Sequence, residues 1–575
     1  MEDSTAQAAV DCGIFECARR SRQGIVEPPV SEGFSFSPDR SVSLLAEYTR
    51  LSTAGNAQAA RKALLDTLAG HAERDWLECG RALVLRADID GAAAVFSAAL
   101  AEHPESIDVR HALAGVLWQA KQFAQAEALL RALLAQHPDN VAATFVLARL
   151  LKEQARMNAV AAVLRALFDH ARQPVGVTIQ AVELLDDCGC KQAASDICEA
   201  EIAHGSTDPR LYAYAGMLAL QLGDFDRVRE RYSFALAHSP QAPDWQVANG
   251  LASAQRYSDE GHADFALFRG CLQRPDLSER ARASLLFALG KAYDDIGDTA
   301  RAAESFREGN RVVSGFAEWS RKNWRRMIAA RLDSKPLQNR VTTTSDCVPV
   351  FIVGMPRSGS TLIADLLARH ADVRYRGELT WLPFLAQRVA LAGKPTIAML
   401  EKTAAQYFAQ LRQDDPPARF YIDKQPLNFL HIDLIEALFP TARIIYCERS
   451  ERDTALSIWM QYFAGPEENF AYDFADIAAV AQACSRLMVN ALKKTPHSIR
   501  TVRYEQLVSD PATCMAGLAA WLGLPEPDPG HADSDATAIS TSSLWQVRQP
   551  IYTRSIGRWR AYAAHVPELL QFADR

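Results

Sequence analysis

One stretch of the sequence carries residue types that bind an anion through backbone amides, hydroxyls and a guanidinium. Residues 348–353 are apolar and largely β-branched, which is typical of a strand buried on both faces. Residues 354–361 follow with the sequence GMPRSGST, and apolar residues then recur at helical spacing. A strand, a glycine-rich turn and a helix together point backbone N–H groups at an anion. The stretch therefore predicts a phosphate loop at residues 354–361.

This phosphate loop differs at one position from that of nucleoside triphosphatases. The spacing from Gly354 to Thr361 agrees, but Ser360 stands where those proteins have lysine. Without the lysine, the main organiser of a γ-phosphate and its Mg²⁺ is missing. Arg357 and Ser358 within the loop indicate a different anion, held by backbone, hydroxyls and guanidinium.

A second anion site is predicted after the strand at residues 442–447. Arg449 leaves this strand, and Ser457 follows eight residues later in the next helix. A guanidinium and a hydroxyl placed in this way form a compact, two-pronged anion site. Arg452 and Asp453, which lie between them, are interpreted as surface charges of a capped helix.

Both motifs resemble those of sulfotransferases that use 3′-phosphoadenosine-5′-phosphosulfate (PAPS). The P-R-S-G-S-T sequence is similar to their 5′-phosphosulfate loop, and the arginine–serine pair is similar to their 3′-phosphate segment. The resemblance implies that PAPS is the co-substrate and that no metal is needed, because fixed cations replace Mg²⁺. The donor-binding residues that it implies here are Arg357, Ser358, Gly359, Ser360, Thr361, Arg449 and Ser457.

Further segments resemble protein-tyrosine sulfotransferases and imply catalytic residues. Residues 374–378 (RYRGE) resemble an R-x-G-E stretch of those enzymes, and the matching Glu378 is implied to be the base that takes the proton of the acceptor hydroxyl. A segment similar to N-K-x-P contains Lys424, which is implied to stabilise the departing phosphate together with Arg357. Asp423 departs from the pattern, because asparagine is commoner at its position.

The same resemblance implies three more residues that hold the nucleotide, late in the chain. Tyr504 lies in a segment similar to R-Y-E-x-L. Ser543 and Arg558 match the late loop that closes over the phosphates in those enzymes. Arg558 stands where the tyrosine sulfotransferases have lysine, and Gln461 stands where they have an arginine near the 3′-phosphate. The positive charge is kept at the first position and lost at the second.

The elements that must position these residues form an α/β domain. Strand-like runs at 348–353, 419–422, 442–447 and 499–503 alternate with helical patterns, which predicts a mostly parallel sheet. Ligands of such sheets collect at the carboxyl ends of the strands, where every motif described above begins. We therefore predict a P-loop-like, three-layer sulfotransferase domain at 347–575.

The preceding residues, 41–315, predict an all-α solenoid. Pro104 and Pro138 end two units 34 residues apart, which is the period of tetratricopeptide repeats. Small and aromatic residues recur at the repeat positions: Gly80 and Phe96, Gly216 and Tyr232, Gly290 and Phe306. The segments around 139–205 and 241–283 are degenerate but remain helical in pattern. Such an array either offers a groove to a peptide or protein, or only supports the C-terminal domain or a dimer contact.

The rest of the chain is predicted to be connecting sequence. Residues 1–40 predict a flexible segment, and residues 316–346 predict a basic connector helix followed by a linker. A formal net charge of −7 argues against general nucleic-acid binding, and the eleven cysteines lack zinc spacing, which favours a reducing compartment. We see no signal peptide and no stretch of the ~20 apolar residues that span a membrane. A cytoplasmic protein without membrane contacts is expected.

The sequence thus favours a sulfotransferase that moves a sulfuryl group from PAPS to a hydroxyl. The acceptor is expected to be a protein or peptide, with tyrosine as the first candidate, or a carbohydrate. Two alternatives remain open at this point: a P-loop kinase-like phosphotransferase, and a non-catalytic repeat scaffold with a nucleotide-sensing domain.

Overall fold

The computed structural model describes residues 46–53, 56–334, 337–342, 345–463, 465–524 and 553–573. Its contacts divide the chain into two compact units. The first holds the chain up to residue 150 together with residues 163–180, and the second holds residues 151–162 together with residues 181–575. The predicted flexible segment 1–40 lies outside the described residues.

The first part of the described chain is an array of helices joined by short turns. It consists of α1 (Ala46–Thr53), α2 (Ala57–Leu68), α3 (Glu73–Leu85), α4 (Ile89–Glu102), α5 (Ile107–Gln119), α6 (Phe123–Gln136), α7 (Val141–Glu153), α8 (Met157–His170), α9 (Val175–Asp187), α10 (Lys191–Ala203), α11 (Pro209–Leu222), α12 (Phe225–His238), a 3₁₀ helix (Ala242–Trp245), α13 (Val247–Ser253), α14 (Ala263–Leu272), α15 (Glu279–Asp295) and α16 (Thr299–Ser314). The described chain contains no helix with the length and apolar character needed to cross a lipid bilayer.

A 34-residue period is visible in the turns between paired helices. The residues with positive φ in these turns are Ala87 (59°), Lys121 (61°), Ala155 (59°), Gly189 (74°) and Gly223 (80°), each 34 residues from the next. The left-handed conformation favours glycine, yet the first three of these residues carry side chains. The repeat therefore continues through a segment whose sequence pattern is degenerate.

Close helix packing in the array depends on glycine facing an aromatic ring. A Cβ atom added at Gly216 would lie 2.5 Å from the Tyr232 ring, and one at Gly290 would lie 2.7 Å from the Phe306 ring. Both rings are buried. The small residue lets the two helices of a pair approach, and the aromatic residue fills the space between them.

The second part of the chain is an α/β domain with a five-stranded sheet. Its strands are β1 (Val348–Gly354), β2 (Val373–Tyr375), β3 (Phe420–Asp423), β4 (Arg443–Glu448) and β5 (Ile499–Arg503). They are ordered β2-β3-β1-β4-β5, and every neighbouring pair is parallel. The four predicted strands are thus confirmed, while β2 was missed because three residues are too few to show a periodic pattern.

Helices precede, connect and follow these strands. They are α17 (Arg321–Asp333), α18 (Ser360–Ala368), α19 (Trp381–Leu391), α20 (Ile397–Arg412), α21 (Ile432–Leu438), α22 (Glu451–Trp459), α23 (Phe474–Lys494), α24 (Tyr504–Ser509), α25 (Pro511–Leu522) and α26 (Trp559–Tyr562), with 3₁₀ helices at Pro426–His431, Pro466–Tyr472 and Pro567–Gln571. The central strand β1 is covered on both faces. Val350 and Ile352 belong to one apolar cluster and Phe351 and Val353 to another, as the apolar run predicts.

Within the second unit, the last array helices and α17 pack directly on the α/β domain. The Nδ2 atom of buried Asn310, in α16, donates to the carbonyl of Trp459 at 2.9 Å. The Nε1 atom of Trp324, in α17, donates to the carbonyl of Ala479 at 3.3 Å. Buried hydrogen bonds between distant segments fix their relative position more strictly than apolar contact alone. The last helices of the array thus form one body with the α/β domain.

We predict that Gly290→Ala lowers the free energy of unfolding by about 1–3 kcal/mol, because its Cβ cannot fit against the buried Phe306 ring. Gly270→Ala is the matched control, since a Cβ at this helical glycine meets nothing within 4 Å. The control should be neutral or stabilising by up to about 1 kcal/mol through helix propensity. Denaturant unfolding measures both variants, and equal effects would contradict the packing argument.

Candidate functional site

The phosphate loop owes its shape to three residues with positive φ. They are Gly354 (145°), Arg357 (68°) and Gly359 (96°). A Cβ at Gly354 would lie 2.5 Å from the carbonyl oxygen of Cys447, and one at Gly359 would lie 2.5 Å from the ring of Tyr504. Both glycines are therefore required by space as well as by conformation.

The loop ends in buried hydroxyls at the start of α18. Ser358, Ser360 and Thr361 are 2%, 4% and 5% exposed. The Oγ atom of Ser358 is buried and has no hydrogen-bond partner among the described residues. Such an orphaned polar atom destabilises the fold unless a ligand or water binds it, and the first N–H groups of a helix also lack intrahelical partners. Both features suit an anion.

The predicted arginine–serine pair meets the phosphate loop. The Nη1 atom of Arg449 donates to the carbonyl of Arg357 at 2.9 Å, and the Nε atom of Arg357 donates to Ser457 Oγ at 3.1 Å. The Arg449 guanidinium also lies over the Tyr504 ring, 4.5 Å from its centroid. Burial lowers the pKa of Arg449, and its buried Nε has no partner in the described part of the chain. The guanidinium therefore keeps a donor for an anion.

A C-terminal segment, residues 553–573, closes over this side of the site, and we call it the C-terminal strap. Asp453 holds it by accepting hydrogen bonds from the backbone N–H of Gly557 at 2.7 Å and of Trp559 at 2.9 Å. Arg452 lies over the Trp559 ring, 4.4 Å from its centroid. The interpretation of Asp453 as a surface charge is wrong, because its side chain is buried and holds the strap.

On the other side of β1, Lys424 and Glu378 form an ion pair. Lys424 is 1% exposed, while the Glu378 side chain is 32% exposed. The backbone N–H of Lys424 also donates to the carbonyl of Gly377 at 2.9 Å, which fixes the two residues relative to each other. The pair combines a buried cation with a carboxylate that solvent can reach.

Behind this pair lies the buried carboxyl of Asp423. It accepts hydrogen bonds from Tyr407 Oη, from Asn428 Nδ2 at 3.0 Å and from the backbone N–H of Leu379 at 3.3 Å. Burial raises the pKa of Asp423 to about 7, against the opposing effect of these hydrogen bonds. Through Leu379, the residue after Glu378, Asp423 orders the segment that carries the candidate base.

One acidic residue near the pair was missed by sequence reasoning. Burial first, and then the negative charges of Glu467 and Glu378, raise the pKa of Glu468 to about 7. Glu468 lies in the 3₁₀ helix Pro466–Tyr472, which no motif marks. The negative charge of Glu378 contributes to this raised pKa although 90 residues separate the two carboxyls in the sequence.

The late residues implied by the resemblance have different environments. Tyr504 begins α24, and its hydroxyl shares a 2.7 Å hydrogen bond with Ser555 Oγ of the C-terminal strap. Arg558 lies in the same strap and forms an ion pair with Asp294 of α15. Ser543 lies outside the described residues.

Two pairs of side chains lie on opposite sides of the phosphate loop: Lys424 with Glu378, and Arg449 with Ser457. Strand β1 separates β3, which ends beside Lys424, from β4, which ends before Arg449. Neighbouring strands lie about 4.8 Å apart, so the ends of β3 and β4 are separated by about 10 Å. The chain leaves β1 toward β2 and β3 and later returns to β4, so this crevice is the switch point where open α/β sheets bind ligands.

Family models match part of the helical array and much of the α/β domain. Residues 349–528 match the model described as "Sulfotransferase family". Residues 83–139 and 117–181 match a model of the tetratricopeptide repeat. The motif-based resemblance to both families is thus confirmed.

Individual relatives are distant. An uncharacterized protein of Aquifex aeolicus is 27% identical over 61% of this chain and 48% of its own length. Protein-tyrosine sulfotransferase 1 of Danio rerio is 23% identical over 36% of this chain and 65% of its own length. The chain thus spans about half of the length of the first relative and just under two thirds of the second. The solved sulfotransferase domain of the Synechococcus PCC 7002 olefin synthase is 20% identical, with a TM-score of 0.30, over 41% of this chain and 96% of that domain.

Asp423→Asn should change how stability depends on pH. The folded protein raises the pKa of this carboxyl from 3.8 to about 7, so its contribution to stability is complete below pH 3.8 and is lost as the pH rises through 7. Asparagine does not titrate. The free energy of unfolding of the variant, relative to the parent, should therefore increase by up to about 1.4 kcal/mol per pH unit between pH 4 and pH 7.

Denaturant unfolding at several pH values measures this difference. The matched control is Asp226→Asn, at an exposed position early in α12, which should differ from the parent by a constant amount. A constant offset for Asp423→Asn as well would show that the buried carboxyl does not titrate in this range.

Proposed function

We propose that this protein, whose residues 349–528 match the sulfotransferase family, transfers the sulfuryl group of PAPS to an acceptor hydroxyl. The observation that carries the proposal is the pair of anion-binding clusters on one domain, the phosphate loop and the Arg449–Ser457 pair. PAPS carries anionic groups at two separated places, the 5′-phosphosulfate and the 3′-phosphate. ATP carries all of its phosphates in one chain.

The residues present fit such a donor. Two buried polar atoms have no partner among the described residues. One is Ser358 Oγ in the phosphate loop, and the other is Arg449 Nε in the Arg449–Ser457 pair. We assign the phosphate loop, with Arg357, to the 5′ side and Arg449 with Ser457 to the 3′ side. Bound PAPS would supply the sulfuryl group and depart as adenosine 3′,5′-bisphosphate.

Glu378 is assigned as the general base. Its carboxylate is within reach of solvent, as a base for an incoming acceptor must be. When the acceptor oxygen attacks sulfur, its proton passes to a Glu378 carboxylate oxygen. The backbone bond between Lys424 and Gly377 holds the segment that carries this carboxylate.

Lys424 is assigned as the cation that stabilises the leaving phosphate. Its ammonium group is buried and has been removed from water, which strengthens its interaction with charge that develops nearby. It is paired with Glu378. An anionic donor would compete for the ammonium group, weaken this pair and leave the carboxylate free to accept a proton.

For the acceptor we propose a hydroxyl on a protein or peptide, with tyrosine first. The similarity to proteins named protein-tyrosine sulfotransferases supports the tyrosine, and the repeat family of residues 83–181 supports a protein or peptide acceptor. Incubation with sulfur-labelled PAPS and paired peptides, with tyrosine or phenylalanine at one position, tests this choice. Labelling of a carbohydrate and not of the tyrosine peptide would reassign the acceptor.

Calorimetric titration with adenosine 3′,5′-bisphosphate tests the donor site. We expect metal-independent binding that EDTA does not change and that Arg449→Ala weakens about 30-fold, since a hydrogen bond to a charged group contributes about 2 kcal/mol. Arg369→Ala is the control, because this exposed arginine pairs with Asp365 on the outside of α18. Preference for ATP with Mg²⁺ would indicate a kinase-like enzyme. Binding of neither nucleotide would favour the alternative of a non-catalytic repeat scaffold.

Glu378→Gln separates the enzyme from a scaffold. Turnover should fall at least about 100-fold, because a positioned general base contributes that much, while bisphosphate affinity should not weaken, because the Glu378 carboxylate only competes with the nucleotide for Lys424. Glu401→Gln, at an exposed position of α20, is the control for loss of one carboxylate. Full activity of Glu378→Gln would place the base elsewhere, and Glu468 is the next residue to substitute.

A further inference from the structure

The C-terminal strap touches the proposed nucleotide site through backbone and side-chain contacts. The carbonyl of Ser555 accepts a hydrogen bond from Arg449 Nη2 at 2.9 Å, and Ser555 Oγ bonds to the Tyr504 hydroxyl. Arg449 belongs to the pair assigned above to the 3′-phosphate, and Tyr504 carries the ring on which the Arg449 guanidinium lies. The strap also carries Arg558, a cation close enough to Arg449 to lower its pKa further. The position of the strap therefore sets the charge and shape of this cluster.

The opposite side of the strap is held by the helical array. Arg558 forms an ion pair with Asp294 of α15, and the Tyr562 hydroxyl donates to the other carboxylate oxygen, Oδ1, at 2.6 Å. In α16, Arg307 donates to the carbonyl of His565 at 3.2 Å and pairs with Glu568 at 2.9 Å. Two helices of the array thus bind one strap of the α/β domain.

We infer that Asp294, a residue of the repeat array, is a positioning residue of the nucleotide site that acts through Arg558 and the C-terminal strap. The inference rests on the proposed function, because it assigns the cluster to a nucleotide. Arg558 and Tyr562 are four residues apart around α26 and present both groups to one carboxylate. This two-point attachment fixes the rotation of the strap.

The geometry favours positioning over competition for Arg558. The two carboxylate oxygens of Asp294 accept from two groups of the strap, the Nη2 group of Arg558 and the Tyr562 hydroxyl. Asp294 side-chain exposure is 17% and that of Arg558 is 33%, so the pair is partly shielded from solvent. An ion pair of this kind, joined by a second bond from the same short helix, orients the guanidinium and the strap that carries it.

The test uses the full chain and adenosine 3′,5′-bisphosphate. Asp294→Asn should weaken the calorimetric affinity about tenfold and Asp294→Glu should restore part of it. Arg558→Ala should weaken binding as well, and the double variant Asp294→Asn/Arg558→Ala should bind no worse than Arg558→Ala alone. The control is Asp276→Asn, which removes an exposed pair with Arg274 and should leave the affinity unchanged.

A second measurement does not depend on the nucleotide. Hydrogen exchange of the strap amides, those of Gly557 and Trp559 included, should accelerate in Asp294→Asn, while exchange in β1 stays as in the parent. If the parent fails to bind the bisphosphate, the proposed function fails and the exchange result alone decides whether Asp294 holds the strap.

Three outcomes would overturn the inference. Unchanged bisphosphate affinity and unchanged hydrogen exchange of the strap in Asp294→Asn would show that the strap keeps its position without Asp294. Tighter binding would show that Asp294 competes with the nucleotide for Arg558. A large loss of unfolding temperature with equal losses of exchange protection in β1 would show a role in global stability only.

Discussion

The contact between Gly354 and the carbonyl of Cys447 sets the geometry of everything that the α/β domain presents at its carboxyl edge. No side chain fits between the ends of β1 and β4, since a Cβ would lie 2.5 Å from that oxygen. The phosphate loop can therefore turn directly across β4, and its Arg357 carbonyl reaches Arg449. The parallel order of the strands places Lys424 on the other side of the same loop.

The site concentrates charge that is costly to bury. Lys424 and Asp453 are almost fully buried, and each is held by a specific partner: Glu378 for the first, strap amides for the second. The unpaired Arg449 Nε and Ser358 Oγ have no such compensation among the described residues. A protein keeps such atoms where a ligand completes their hydrogen bonds. The unfavourable free energy of burying them unpaired therefore indicates where an anion is expected.

Local spacing predicted much of this domain. Four strands, the phosphate loop and the Arg449–Ser457 pair were found because each is encoded within about ten consecutive residues. Asp453 and Glu468 were not, because their partners are distant in sequence: the strap follows Asp453 by about a hundred residues. The repeat turns at Ala87, Lys121 and Ala155 escaped notice since a left-handed turn without glycine leaves no signature. The roles of the site residues remain predictions.

The constant spacing of the left-handed turns has a consequence for how this chain can vary. Each interval of 34 residues contains one complete structural unit, so duplicating or deleting an interval preserves the packing surfaces of its neighbours. Such a change alters the number of units without entering α15 or α16, whose residues hold the C-terminal strap. The array can therefore change in length before α15, whereas α15 and α16 are constrained by their contacts with the C-terminal strap. The array can gain or lose whole units while the end that packs on the α/β domain keeps its construction.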